Sequence, residues 1–160
     1  MNEMFETARS LQSAGRLEEA EAAYRSLLEQ SPDFLKGWNN LGVILESTGR
    51  AEEAVDAYEQ AIRIDTTQSM LHYNRGHALH LAGRHEDAIA AYRRALELEE
   101  EDGDTHANLA MALHQISRAE EAIPHYQRAL VLLGIDAALA ARLGECLYVA
   151  GTMKPGREGS

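Results

Sequence analysis

The sequence repeats itself with a period of 34 residues, and this periodicity constrains the fold more than any other feature. Five series of residues share the spacing. They are Tyr24, Tyr58, Tyr92 and Tyr126; Ala20, Ala54, Ala88 and Ala122; Arg16, Arg50, Arg84 and Arg118; Leu28, Ile62, Leu96 and Leu130; and Gly15, Gly49 and Gly83, with Ser117 in the fourth place and Gly151 in the fifth. One unit of this size buries too little apolar surface to be stable, so we expect the units to stack around a continuous core.

The composition favours helices in every unit. The chain of 160 residues contains 26 Ala and 20 Leu but only 7 Ile and 4 Val. Ala and Leu stabilise helices, whereas β-branched residues favour strands. The sequence therefore predicts an all-α fold.

Each unit is predicted to be a helical hairpin, and the second unit gives the clearest pattern. Its first helix carries one apolar face, formed by Trp38, Leu41, Gly42 and Leu45. Gly49 and Arg50 then interrupt the periodicity, as a turn between two helices requires. The second helix turns a further set inward, namely Ala54, Tyr58, Ala61 and Ile62. Small residues at Gly42 and Ala54 allow the two helices to approach closely, with the tyrosine filling the space beside them.

The second unit resembles the tetratricopeptide repeat (TPR), through Trp38, Leu41, Gly42, Ala54, Tyr58 and Ala61. The resemblance implies a right-handed α-solenoid of antiparallel helix pairs, the TPR superhelix. It divides the chain into repeats 1–34, 35–68, 69–102 and 103–136, a partial repeat 137–151 and a flexible C-terminal tail 152–160. The chain departs from the family pattern at the terminal proline and at the tryptophan, among other positions. The terminal proline is present only as Pro32, and the tryptophan position holds Met4, His72, His106 and Ala140 in the other units.

Charge and motif content exclude several classes of function. With 15 Lys and Arg against 26 Asp and Glu, the net charge is −11, which disfavours nucleic acid as a partner. No apolar run is long enough to span a membrane, no signal peptide is recognisable, and Cys146 is the single cysteine, so we expect a soluble, cytoplasmic protein. No nucleophile–base pair, phosphate-binding loop or metal-ligand cluster is recognisable. We therefore predict a protein that is not an enzyme and needs no cofactor or metal.

Three asparagines recur at one position of successive first helices: Asn40, Asn74 and Asn108. In TPR arrays the first helices line a concave groove, and this series resembles the asparagine ladder of the O-linked N-acetylglucosamine transferase superhelix. A carboxamide offers a donor and an acceptor, which match the two hydrogen-bonding groups of a peptide unit. The resemblance therefore implies that the three side chains hold the backbone of an extended peptide. The alternative is that they only support neighbouring helices.

Other groove positions are predicted to select the side chains of that peptide. They are Tyr73, His77, His80, Met111 and His114. His77 and His80 share one helix face, a geometry that metals can use, but no carboxylate or cysteine belongs obviously to the set. Asn108 and Arg142 match only the last part of the TPR clamp for a terminal carboxylate. We include Arg142 in the predicted groove and do not predict the complete clamp.

The last predicted helix offers a strip of small and apolar residues: Ala140, Gly144 and Leu147. Its partner helix is not recognisable in the sequence that follows. We expect this strip to meet a second copy of the chain, as a homodimer, or the next helix of a longer protein. The leading hypothesis is a scaffold that binds a protein or peptide partner in its groove. The alternatives are a homo-oligomerising structural module and the TPR region of a longer enzyme such as a glycosyltransferase.

Overall fold

The computed structural model describes residues 2–153, which form nine α-helices joined by short turns, with no strand in that range. The helices are α1 Asn2–Ser13, α2 Leu17–Gln30, α3 Leu35–Ser47, α4 Ala51–Ile64, α5 Ser69–Leu81, α6 His85–Leu98, α7 Gly103–Gln115, α8 Ala119–Leu133 and α9 Ala137–Met153. Each helix packs mainly against its neighbours in the chain. The predicted all-α stack of hairpins is confirmed. The predicted tail lies outside the described residues from residue 154 onward, and α9 includes Thr152 and Met153.

The turn inside each hairpin is a glycine-based helix stop. Gly49 has φ +79°, and the N–H of Arg50 returns to the carbonyl of Leu45 at 2.8 Å. This is the hydrogen bond of a Schellman motif, which satisfies a carbonyl that the ending helix leaves free. The same glycine conformation and bond recur in the first and third hairpins. In the fourth, Ser117 adopts φ +63°, a region that costs energy for a residue with a Cβ.

The tyrosine series forms the centre of the core. Tyr24, Tyr58, Tyr92 and Tyr126 are each at most 1% exposed, and the alanine series four residues earlier is fully buried. An aromatic side chain buries a large apolar area. Regular placement of one tyrosine in every hairpin therefore gives each repeat an equivalent piece of one continuous core.

The connection between repeats is fixed by a ring N–H at the family's tryptophan position. Nε1 of Trp38 donates to the carbonyl of Pro32 at 2.8 Å. His72 and His106 replace tryptophan, and the Nε2 of each lies about as close to the carbonyl six residues earlier, at 3.0 and 2.9 Å. A carbonyl only accepts hydrogen bonds, so these histidines carry a proton on Nε2. Histidine thus retains the donor of tryptophan in a smaller ring.

An acidic run, Glu99 to Asp102, lies at the third repeat junction and caps the following helix. The Asp102 carboxylate accepts hydrogen bonds from the N–H groups of Asp104 at 3.1 Å and Thr105 at 3.3 Å, at the start of α7. An acidic side chain in this position satisfies free N–H groups and lies at the positive end of the helix dipole. The cap supplies a helix start at a junction where the family proline is missing.

Ion pairs connect the second helices of successive repeats on the surface opposite the first helices. Arg50 donates to Glu21 of the preceding repeat, and this hydrogen bond lowers the pKa of the Glu21 carboxyl. Arg93 pairs with Glu121 of the following repeat at 3.2 Å. Exposed pairs such as Arg93–Glu121 contribute little stability each, because water and salt screen the attraction. The main consequence of these ion pairs is that many acidic side chains of the even-numbered helices already have a basic partner.

Candidate functional site

Side chains of successive first helices touch one another directly. Nδ2 of Asn74 on α5 donates to Oδ1 of Asn39 on α3 at 2.9 Å. Nδ2 of Asn108 on α7 donates to the hydroxyl of Tyr73 on α5 at 2.8 Å. These contacts make α3, α5 and α7 neighbours along one continuous surface. We call the surface of the odd-numbered helices the groove.

All three asparagines of the predicted ladder are half-buried, and each uses its Nδ2 to contact the preceding repeat. Asn40 donates to the hydroxyl of the buried Tyr24 at 3.1 Å, and that hydroxyl donates onward to Gln12 at 2.7 Å. In each case Oδ1 and the second Nδ2 hydrogen have no partner within residues 2–153. The inter-repeat bond therefore fixes the carboxamide plane while one acceptor and one donor remain available.

His77 is held by a carboxylate from the neighbouring repeat. Its Nδ1 contacts Oε1 of Glu46, and Oε2 of the same carboxylate accepts a hydrogen bond of 2.9 Å from the hydroxyl of Tyr58. The hydrogen bond to Glu46 raises the pKa of His77 above its usual value, against a smaller opposing effect of burial. The three side chains link α3, α4 and α5. They favour a cationic imidazole with Nε2 directed away from Glu46.

The other two histidines of the predicted set have different partners. Nδ1 of His80 lies 3.0 Å from Nδ1 of His85, and burial together with that neighbour lowers the pKa of His80. The ring of His114 packs edge-on against Tyr126, with ring centres 6.3 Å apart. The predicted histidine set is thus distributed over three separate contacts. Within residues 2–153, no group of three His, Cys, Asp or Glu side chains is arranged to hold a metal ion.

The remaining predicted groove residues differ in how deeply their side chains are buried. Tyr73 is half-buried, with its ring centre 6.0 Å from that of Tyr92, and Met111 is partly buried against the core. Arg142 is exposed on α9. Burial raises the pKa of the Tyr126 hydroxyl to about 12, and the positive charge of Arg142 acts in the opposite direction.

Three apolar side chains of α3 and α5 are exposed, and they were not among the groove residues predicted from the sequence. Val43 is 40% exposed, Met70 is 52% exposed and Leu81 is 53% exposed. A first helix packs only part of its circumference against the second helices, so apolar residues on the remaining part stand out from an amphipathic pattern. That departure is the signal by which the sequence could have identified them. They add apolar contact surface to the polar groups of the groove.

The predicted strip on α9 is exposed. Leu147 is 49% exposed, Ala140 and Gly144 are exposed, and a Cβ built on Gly144 would meet no atom within 4 Å. Cys146 on the opposite side of α9 is fully buried, and burial raises the pKa of its thiol. The helix therefore packs one face against α8 and leaves the strip uncovered within the described chain.

Comparison with known proteins identifies the repeat and the fold. Sequence models of the tetratricopeptide repeat match residues 5–69, 69–102 and 105–137. No curated protein is significantly similar to the chain in sequence. No helix within residues 2–153 combines the length and the apolar character needed to cross a bilayer.

Solved structures share the architecture at low sequence identity. The MamA protein matches with a TM-score of 0.90 and 19% identity, over 94% of this chain and 82% of its own. YrrB, described as a TPR protein with an unusual peptide-binding site, matches with a TM-score of 0.83 and 22% identity, over 94% and 78%. PilF from Pseudomonas aeruginosa matches with a TM-score of 0.79 and 20% identity, over 94% and 69%. These similarities confirm the predicted right-handed α-solenoid of antiparallel helix pairs.

Proposed function

Because the chain belongs to the tetratricopeptide repeat family, we propose that it is a non-enzymatic interaction scaffold that binds an extended peptide segment of a partner protein in its groove. The observation that carries the proposal is the hydrogen bonding of the three asparagines. Each of Asn40, Asn74 and Asn108 is oriented by a hydrogen bond to the preceding repeat and retains an unpaired acceptor and donor within the described chain. A row of oriented carboxamides binds a peptide backbone with little loss of side-chain entropy.

The hydrogen bonds of the asparagine ladder are too weak to bind a peptide alone, so apolar contacts are needed as well. A hydrogen bond contributes roughly 0.5–1.5 kcal/mol net, whereas micromolar affinity requires about 8 kcal/mol after the cost of association. The exposed side chains of Val43, Met70 and Leu81 offer the apolar surface that such a ligand would cover. The proposal is therefore that asparagines hold the backbone while these residues, with Tyr73 and His77, contact side chains.

The likeness to YrrB supports the same class of ligand. YrrB is described as having an unusual peptide-binding site, and its fold matches most of this chain. Since that likeness concerns the fold, the groove residues of this chain itself carry the proposal.

The test uses peptides selected from a random 12-residue phage library with the full chain as bait. Replacing Asn40, Asn74 and Asn108 together by Ala is expected to weaken a selected peptide at least tenfold in calorimetry, while circular dichroism shows unchanged helicity. Unchanged affinity in the triple variant would refute the ladder. Failure of the wild type to select any peptide would refute groove binding itself.

A matched control separates binding from support of neighbouring helices. Tyr24→Phe removes the hydroxyl that accepts from Asn40, and Tyr24 is fully buried, so it cannot touch a peptide. We expect Tyr24→Phe to weaken the peptide less than Asn40→Ala does. Equal losses would mean that Asn40 acts through repeat packing.

Self-association is a second candidate function, favoured by the uncovered strip on α9. Ala140, Gly144 and Leu147 form an exposed surface with little side-chain bulk, which permits close approach of another helix. A homodimer through this strip would leave the groove of each copy open. The two candidate functions are therefore compatible.

A further inference from the structure

One end of the groove contains a pocket with an unusual charge for this protein. The pocket lies between α1, α3 and α5, has a volume of about 380 Å³, and its lining includes the basic residues Arg9 and Lys36. The chain as a whole carries 26 acidic against 15 basic residues. Two cations on one small concavity therefore oppose the average charge of the surface.

Lys36 is not neutralised in the way that the arginines of the hairpin turns are, and Arg9 has only an exposed partner on its own helix. Lys36 makes no ion pair with any carboxylate in the described part of the chain, whereas the repeated arginines of the hairpin turns each pair with an acidic residue. Arg9 pairs with Glu6 at 3.2 Å, but both side chains are more than half exposed, and its guanidinium also lies over the ring of Phe5. Such an exposed pair is weak and exchanges readily for a better-placed anion.

The amide group of Asn39 adds hydrogen-bond donors to the pocket. Oδ1 of Asn39 accepts from Asn74, and the Nδ2 hydrogens of Asn39 have no acceptor within residues 2–153. An ionised carboxylate accepts hydrogen bonds and donates none, and it complements a wall of cations and N–H donors.

An apolar wall completes the pocket. Met70, 52% exposed, and Phe5 both line it. A ligand group that fits must therefore combine a negative charge with an adjoining apolar surface. The side chain of Asp or Glu beside an apolar residue has this combination in a peptide.

We propose that the pocket between α1, α3 and α5 binds an acidic side chain of the partner segment, with Arg9 and Lys36 contacting the carboxylate and Met70 contacting an apolar neighbour. This inference rests on the proposed function, since it specifies the chemistry of the peptide. It also gives the peptide a direction and a register, because the charged site lies at one end of the asparagine ladder.

The experiment uses the peptides selected by phage display, synthesised with both ends blocked so that only a side chain supplies the carboxylate. Fluorescence anisotropy measures each peptide against the wild type, Lys36→Gln and the double variant Arg9→Gln/Lys36→Gln. The matched control is Arg63→Gln, which removes one positive charge from an exposed residue of α4 that makes no ion pair in residues 2–153. Each acidic peptide is also made with Gln in place of Glu, or Asn in place of Asp.

We expect the selected peptides to be enriched in Asp or Glu. Lys36→Gln should weaken binding about three- to tenfold and the double variant more than tenfold, with Arg63→Gln changing it less than twofold. The neutral peptide should bind more weakly to the wild type and lose nothing further in the variants. Affinity should fall between 50 and 300 mM salt, because screening weakens an exposed charge contact.

Four results would overturn the inference, and they can be distinguished from one another. The acidic site would be refuted if the selected peptides were not enriched in acidic residues. It would also be refuted if neither Lys36→Gln nor the Glu→Gln change in the peptide altered the affinity. Groove binding would remain supported in both cases. Equal weakening of acidic and neutral peptides by Lys36→Gln would also refute the acidic site alone. Selection of no peptide at all would refute the inference together with the proposed function.

Discussion

The ring of Tyr58 occupies the space that a side chain on Gly42 would need. A Cβ built on Gly42 would lie 2.5 Å from Cε1 of Tyr58, closer than real Cβ contacts. Gly76 has the same relation to Tyr92, at 2.8 Å. Glycine within a helix costs roughly 0.5–1 kcal/mol relative to alanine, so close packing of the tyrosine explains its presence in these two first helices.

Gly42→Ala is therefore expected to destabilise the protein by about 1–2 kcal/mol, because overpacking outweighs the gain in helix propensity. Gly144→Ala is the matched control: nothing lies within 4 Å of its Cβ position, so propensity should raise stability by about 0.5–1 kcal/mol. Urea unfolding followed by circular dichroism measures both. A Gly42→Ala protein as stable as Gly144→Ala would contradict the packing argument.

Ser117→Gly is expected to stabilise the fourth hairpin. Ser117 is exposed and has φ +63°, while glycine occupies the equivalent turns. Relief of the left-handed strain, partly offset by the greater freedom of glycine in the unfolded chain, should contribute about 0.5–1 kcal/mol and raise Tm by about 1–4 °C. Gly83→Ser should lower Tm by a similar amount in the same calorimetric measurement. A lower Tm for Ser117→Gly would show that the serine side chain stabilises the turn.

The contact between Glu46 and His77 should make stability depend on pH in a defined direction. The folded protein raises the pKa of His77, so its contribution is complete below the unfolded value of about 6.5 and is lost as pH rises through the folded pKa. His80 and His125, whose pKa values are lowered, contribute with the opposite sign. The His77 contribution must therefore be measured as a difference between variants.

We expect the wild type to exceed Glu46→Gln in stability by more at pH 6 than at pH 8.5, measured as urea midpoints. A proton NMR titration should place the pKa of His77 lower in Glu46→Gln than in the wild type, with that of His125, which neither group perturbs, unchanged. An identical His77 titration in both proteins would mean that the carboxylate does not hold the imidazole.

The strip on α9 predicts concentration-dependent association. Light scattering of the wild type should report a mass above that of the monomer at high concentration, and Gly144→Glu should remain monomeric because it places a charge in the strip. Ala90→Glu, an equal change at an exposed residue of α6, should behave as the wild type does. A wild type that stays monomeric throughout would remove the homodimer hypothesis.

The histidines at the tryptophan position show which contacts the 34-residue period can predict. The period aligned His72 and His106 with Trp38, and the structure gives all three the same hydrogen bond to a carbonyl six residues earlier. The groove histidines behave differently. The partners of His77 and His80, Glu46 and His85, belong to other helices at no regular spacing. Periodicity specifies equivalent positions, and a contact between unlike positions leaves no periodic signal.

The sequence by itself determined the helical hairpins, their stops and the inward tyrosines, because these depend on interactions within a few residues that recur in every repeat. Tertiary structure decided which polar groups of the groove remain available. Within residues 2–153, the oxygen of Asn39 meets Asn74 of the next repeat while its N–H donors meet no acceptor, and no carboxylate lines the pocket beside Lys36. Such contacts join residues about 35 positions apart, and their geometry follows from how one repeat stacks on the next.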